Sequence, residues 1–111
     1  MIIDSHCHLT YEPIASSLDE TIKRANSEGV KYLLTISTED KGFENILKIV
    51  ENYSSVYGTY GIHPHEANKH KEIKVNHIVE KVIKNKKIIG IGETGLDFYY
   101  NHSEKKDQIS S

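Results

Sequence analysis

The sequence predicts an α/β chain with a parallel sheet, about four βα units long. Two observations carry this. Short apolar runs alternate with segments of helical period along nearly the whole chain, and strands that alternate with helices pair in parallel across right-handed crossovers. The residues with chemical potential also fall where apolar runs end, at the C-terminal ends of the expected strands. No linker or composition break divides the 111 residues, so residues 1–111 are expected to form one domain with one core.

Met1-Ile2-Ile3-Asp4 is a short apolar entry, expected as a strand buried on both faces. Ser16 to Glu28 places Leu18, Ile22 and Ala25 at helical spacing. Ser16 or Ser17 can cap its start and Gly29 suits its end. Val30 to Ile36 reads as a second strand. Phe43, Ile46, Leu47 and Val50 mark one face of a second helix. Ser55 to Ile62, rich in Val and Tyr, is a third strand. Val75, Ile78, Val79, Val82 and Ile83 mark a third helix, and Ile88 to Gly92 a fourth strand. Glu104 to Ser111 has helical propensity. Lys81, Lys84, Lys86 and Lys87 read as the solvated end of the third helix, where they suit its dipole.

Composition limits the function classes. Hydrophobic residues make up 37% and charged residues 27%, with a net charge of −2. That is a globular composition without the broad basic field of a charge-driven DNA coat. Cys7 is the single cysteine, so no disulfide can form within the chain and a reducing compartment fits. The N-terminus lacks a signal-peptide pattern, and no apolar run approaches the ~20 residues of a membrane span. A cytoplasmic protein with no membrane partner is expected.

Three segments carry the candidate chemistry. Asp4-Ser5-His6-Cys7-His8 closes the first strand. Strand alternation puts His6 and His8 on one face, where two imidazoles can chelate a divalent ion, and turns Cys7 toward the packed side. Gly92-Glu93-Thr94-Gly95-Leu96-Asp97 closes strand four. Its glycines allow a sharp turn beside Glu93, a carboxylate able to bridge two ions; Asp97 fits a helix cap better. Gly61-Ile62-His63-Pro64-His65-Glu66 closes strand three. There His63 can meet a substrate phosphate, and His65 can support it from behind. Phe98, Tyr99 and Tyr100 follow the Glu93 turn and can stack on a base, although packing is expected for at least two of them. His70, His77 and His102 are expected at the surface.

Taken in order, the stretches IDSHCHL, GIHPHEA and IGIGETGLDFYY resemble the TatD family of metal-dependent deoxyribonucleases, over essentially the whole chain. The resemblance implies a (β/α)8 TIM barrel of the metal-dependent hydrolase type, with these residues as its N-terminal half. It implies a divalent-metal centre of two sites; histidine and carboxylate ligands are compatible with zinc, manganese or magnesium there. His6 and His8 would hold one ion, Glu93 would bridge to the second as the catalytic carboxylate, and His63 would lie at the substrate edge. The implied reaction is hydrolysis of DNA phosphodiester bonds by a metal-activated water. Thr10 stands where the family usually has an acidic residue. The family's later ligands, two strand-end histidines and an aspartate, have no counterpart in these 111 residues. The expectations are therefore weak or absent activity for this chain alone, open sheet edges, and either self-association or pairing with a complementary C-terminal half chain. The alternative is a non-catalytic remnant, or one subunit of a split hydrolase completed by a second chain.

Overall fold

The computed structural model describes residues 1–111. Four parallel strands, β1 (Ile2–Cys7), β2 (Val30–Thr35), β3 (Val56–Tyr60) and β4 (Ile88–Ile91), lie side by side in chain order. Helices α1 (Leu18–Ser27), α2 (Phe43–Asn52) and α3 (Val75–Ile83) form the three crossovers, and a short α4 (Lys105–Ser110) follows β4. The expected four βα units are present. No helix is long and apolar enough to cross a membrane.

The core lies between the sheet and the helices. Phe43, Ile46, Ile49 and Val50 of α2 pack on Leu33, Val56, Tyr60 and Ile88 from three strands, with Ile22 of α1 and Leu9 completing the cluster. The Phe43 and Tyr60 rings meet edge to face, centroids 4.6 Å apart, an arrangement that suits their opposed quadrupoles. Gly29 ends α1 at φ 87°, where a side chain would be strained.

Several expectations are corrected. β1 runs three residues further than its apolar entry, to Cys7, and Ile2 and Ile3 are exposed rather than buried on both faces. The reason is that β1 is an edge strand and the sheet face opposite the helices is open. Ile3, Tyr32, Leu34, Tyr57 and Ile89 line a shallow apolar hollow on that face. Ser17 stands at the N-cap of α1 but its side chain caps no helix N–H: its hydroxyl donates to the Pro13 carbonyl, and the Ser16 hydroxyl to Glu12. Those bonds belong to a 3-10 turn at Ala15–Ser17 that starts the helical segment early. The lysine run is not uniformly solvated. Lys81 lies over the Phe43 ring, and Lys87 donates to the Tyr53 and Ser54 carbonyls. None of α3 is fully buried, and Val75, Val79 and Ile83 are exposed. His77 contacts Asp40, and His70 is half-buried, so of the three lone histidines only His102 is exposed.

Candidate metal centre

Every strand but β2 sends a chemistry-bearing segment past its C-terminal end. The strand ends are held together by short polar bonds. Thr59 Oγ1 donates to the Gly92 carbonyl at 2.6 Å and accepts the Ser37 N–H at 3.2 Å. The Gly92 N–H donates to Tyr60 O at 2.9 Å, and the Glu93 N–H to Ser37 O at 2.6 Å. The His63 N–H donates to Thr38 O at 2.8 Å. Gly61 and Gly92 touch backbone to backbone: a Cβ built on Gly61 would lie 2.5 Å from the Gly92 carbonyl carbon. This contact requires glycine at position 61, and it sets Glu93 beside the end of β3.

β1 reaches the site through an irregularity. Asp4 pairs with Leu33 while Cys7 pairs with Thr35, so three steps on β1 match two on β2. His6 and His8 nevertheless share a face, as alternation predicts, with ring centroids 5.2 Å apart. Cys7 points the other way and packs at the core's edge. Burial, with Asp4 adding to it, pushes its thiol up to about 12.

The structure brings all four predicted site residues together. Glu93 Oε2 lies 3.5 Å from His6 Nε2 and 3.9 Å from His8 Nε2, and Glu93 Oε1 lies 3.5 Å from His63 Nε2. The ligand atoms of His6, His8 and Glu93 fall within 4.8 Å of one another. Donors about 2.0–2.2 Å from a common ion lie at most about 4.4 Å apart, a range that holds the 3.5 Å and 3.9 Å separations of Glu93 from His6 and His8. Tautomers separate the histidines further. His8 Nδ1 is 3.3 Å from the Ile36 carbonyl, which can only accept, so Nδ1 carries the proton and Nε2 offers a lone pair to the site. His63 is the reverse. Its Nδ1 accepts the His65 N–H at 3.1 Å, which places the proton on Nε2, facing Glu93. His63 is therefore arranged as a hydrogen-bond donor. Burial lowers its pKa, against the opposing pull of Glu93. The donor set and the His8 tautomer fit a divalent ion held by two imidazoles and a carboxylate, with open positions left.

The site lines an open cleft of about 280 Å³. Two of its walls, Tyr11 and Thr38, carried no sequence signal. Tyr11 stacks on His8 at 4.9 Å and hydrogen-bonds Thr38; both sit on loops whose convergence only the fold reveals. Glu66 also faces the cleft, and with Glu39 and His70 forms a second group of potential donors. The Lys69 ammonium already lies 2.7 Å from the Glu66 carboxylate. Asp97 does not cap α4, whose N-cap is Glu104. It meets His65 Nε2 at 2.7 Å and accepts the Tyr99 and Tyr100 N–H groups. The His65 bond and those backbone bonds hold its carboxyl below the usual range. Gln108, nearly fully buried, clamps both Asp97 backbone groups.

Comparisons with known proteins agree on one family. An uncharacterized metal-dependent hydrolase of Buchnera aphidicola subsp. Baizongia pistaciae is 37% identical over 112 residues, covering 96% of this chain and 41% of the relative. A 3'-5' ssDNA/RNA exonuclease TatD of Shigella flexneri is 31% identical over 107 residues, covering 96% of this chain and 41% of that protein. The crystal structure of YjjV, a TatD homolog of Escherichia coli K12, superposes with a TM-score of 0.87 at 28% identity, over 97% of this chain and 42% of that one. The chain thus spans about two-fifths of the length of the relatives it matches, and its four βα units are a portion of a TIM-type barrel. The sequence matches the TatD-related DNase family from residue 3 to residue 111, and the chain belongs to that family.

Proposed function

We propose that residues 1–111 are one partial hydrolase domain carrying the first ligands of a divalent-metal phosphodiesterase site, and that its family reaction is cleavage of DNA. The observation that carries this is the convergence of His6, His8 and Glu93 within 4.8 Å, with the His8 lone pair directed inward. When bound, the ion supplies Lewis-acid polarisation of a phosphoryl oxygen and makes a water more acidic. His6 and His8 would hold the ion, and the Glu93 carboxylate would join them and neutralise part of its charge. The His63 Nε2–H is placed to donate to a non-bridging phosphate oxygen, where donors fixed in advance stabilise developing charge. The relative named as a 3'-5' ssDNA/RNA exonuclease supports a nucleic-acid substrate; zinc, manganese and magnesium all suit histidine and carboxylate donors to different degrees.

The isolated chain is proposed to be a weak catalyst. Besides Glu93, the carboxylate on the cleft wall is Glu66, already paired with Lys69. No free carboxylate is therefore placed to take a proton from the attacking water, a contribution typically worth ~100- to 10,000-fold. The open apolar hollow at Ile3, Tyr32, Tyr57 and Ile89 supports pairing with a complementary chain or with itself. The test is turnover of single-stranded DNA with magnesium, manganese or zinc. Slow cleavage by the wild type, lost in Glu93→Ala, is expected. Equal cleavage by both would remove the assignment and favour the second reading, a non-catalytic half awaiting a partner.

A further inference from the structure

The aromatic run after β4 has no packing role that accounts for it. Phe98, Tyr99 and Tyr100 are all exposed, against the expectation that at least two would pack. Their surroundings differ. The Phe98 ring is covered by the Lys105 ammonium, 4.9 Å from its centroid. Tyr99 is 83% exposed and touches Tyr100 only by an edge, at 4.8 Å and 84°. Tyr100, 54% exposed, lies nearly parallel to His102, with an interplanar angle of 22° and centroids 5.9 Å apart. Both rings adjoin His65, whose centroid is 5.7 Å from Tyr100 and 4.5 Å from His102. The His65 ring is in turn 4.3 Å from that of His63. One imidazole therefore separates Tyr100 from the residue that faces Glu93.

The Tyr100 backbone is also fixed. Asp97 accepts the Tyr99 N–H at 3.0 Å and the Tyr100 N–H at 3.3 Å, while its other oxygen holds His65. A single carboxylate thus sets the aromatic run and the His63–His65 turn in one frame. An exposed ring held in place loses little freedom on stacking, which is what a binding platform needs.

We propose that Tyr100, backed by His102, is a stacking platform for one nucleobase of a single-stranded polynucleotide whose phosphate lies at the Glu93 cleft. The proposal rests on the phosphodiesterase reading and assigns the residue that holds an unpaired base beside that site. The charge balance points the same way. A chain of net charge −2 offers little general attraction for phosphates, so base contacts must supply a larger share of affinity. Stacking is tolerant of sequence because every base has a π-face. A duplex hides those faces.

The test is fluorescence anisotropy with a labelled single-stranded oligothymidylate and the whole chain, with manganese and again with chelator. Tyr100→Ala is expected to weaken binding about 5- to 150-fold in both conditions. Tyr100→Phe should restore it, and Tyr99→Ala should stay within about twofold of wild type. Duplex DNA of the same length should show no Tyr100 dependence. Wild-type affinity in Tyr100→Ala, an equal loss on duplex, or no binding by the wild type overturns the platform. The two readings fail separately. Tyr100-dependent binding without metal-dependent cleavage sinks the phosphodiesterase reading alone. Cleavage abolished by Glu93→Ala but indifferent to Tyr100→Ala sinks the platform alone.

Discussion

Gly61→Ala should be the most damaging single-methyl addition near the site. The added Cβ would lie 2.5 Å from the Gly92 carbonyl carbon, 2.7 Å from its Cα and 2.8 Å from its N. All three are backbone atoms, so no side chain can swing aside. Reaching ordinary contact requires the ends of β3 and β4 to separate by roughly 1 Å, and interiors packed to crystal density resist such shifts. The Gly92 N–H to Tyr60 O bond of 2.9 Å must lengthen with them. Overpacking of this kind costs about 1–3 kcal/mol, against ~0.4–1 kcal/mol gained by restricting the unfolded chain. A net loss follows, and Glu93 moves relative to His63 and His6. Gly90→Ala is the control, since its nearest neighbour is the Thr59 Cγ2 methyl at an ordinary 3.8 Å. Urea unfolding followed by circular dichroism, with manganese titration on the same samples, measures both effects. The expected result is a lower midpoint and weaker metal binding for Gly61→Ala, with Gly90→Ala close to wild type. Equal stability of Gly61→Ala and wild type would refute the reasoning.

Two further predictions concern titrating groups. Asp40 is pulled up by burial but more strongly down by hydrogen bonds from Tyr60 and His77 and by the Lys81 charge, so its native pKa lies below the ordinary 3.8. A depressed carboxylate stabilises the fold above its unfolded pKa and ceases to as pH falls through the folded one. The stability gap between wild type and Asp40→Asn should therefore be full at neutral pH and shrink below about pH 4; a gap independent of pH would contradict this. Cys7, with its thiol raised to about 12 and its Sγ 3.4 Å from the Leu34 carbonyl, should alkylate far more slowly in the native chain at pH 8 than in urea, and equal rates would show that the thiol is not packed.

The order of elements and the four residues that converge in the candidate site were legible because both rest on local pattern. Apolar runs end where chemistry-bearing residues begin, and His6, His8, His63 and Glu93 all occupy that position in the sequence. What stayed hidden depends on tertiary geometry. The exposure of Ile2 and Ile3 follows from an open sheet face, which hydropathy cannot distinguish from a covered one. Asp97 precedes a helical segment and so reads as a cap, yet its partner is His65, 32 residues away. Tyr11 and Thr38 meet only because the loops after β1 and β2 cross. The His8 and His63 tautomers are set by the Ile36 carbonyl and the His65 N–H, which no spacing in the sequence reveals.

The central claim is that His6, His8 and Glu93 form a divalent-ion site, and isothermal titration of manganese into the wild type, His6→Ala/His8→Ala and Glu93→Ala tests it most directly. The wild type should bind one ion per chain at this site. That event should vanish in the double variant and weaken strongly in Glu93→Ala, while His63→Ala retains it, since the His63 Nε2 carries a proton rather than a free lone pair. Unchanged stoichiometry and affinity in His6→Ala/His8→Ala would contradict the account.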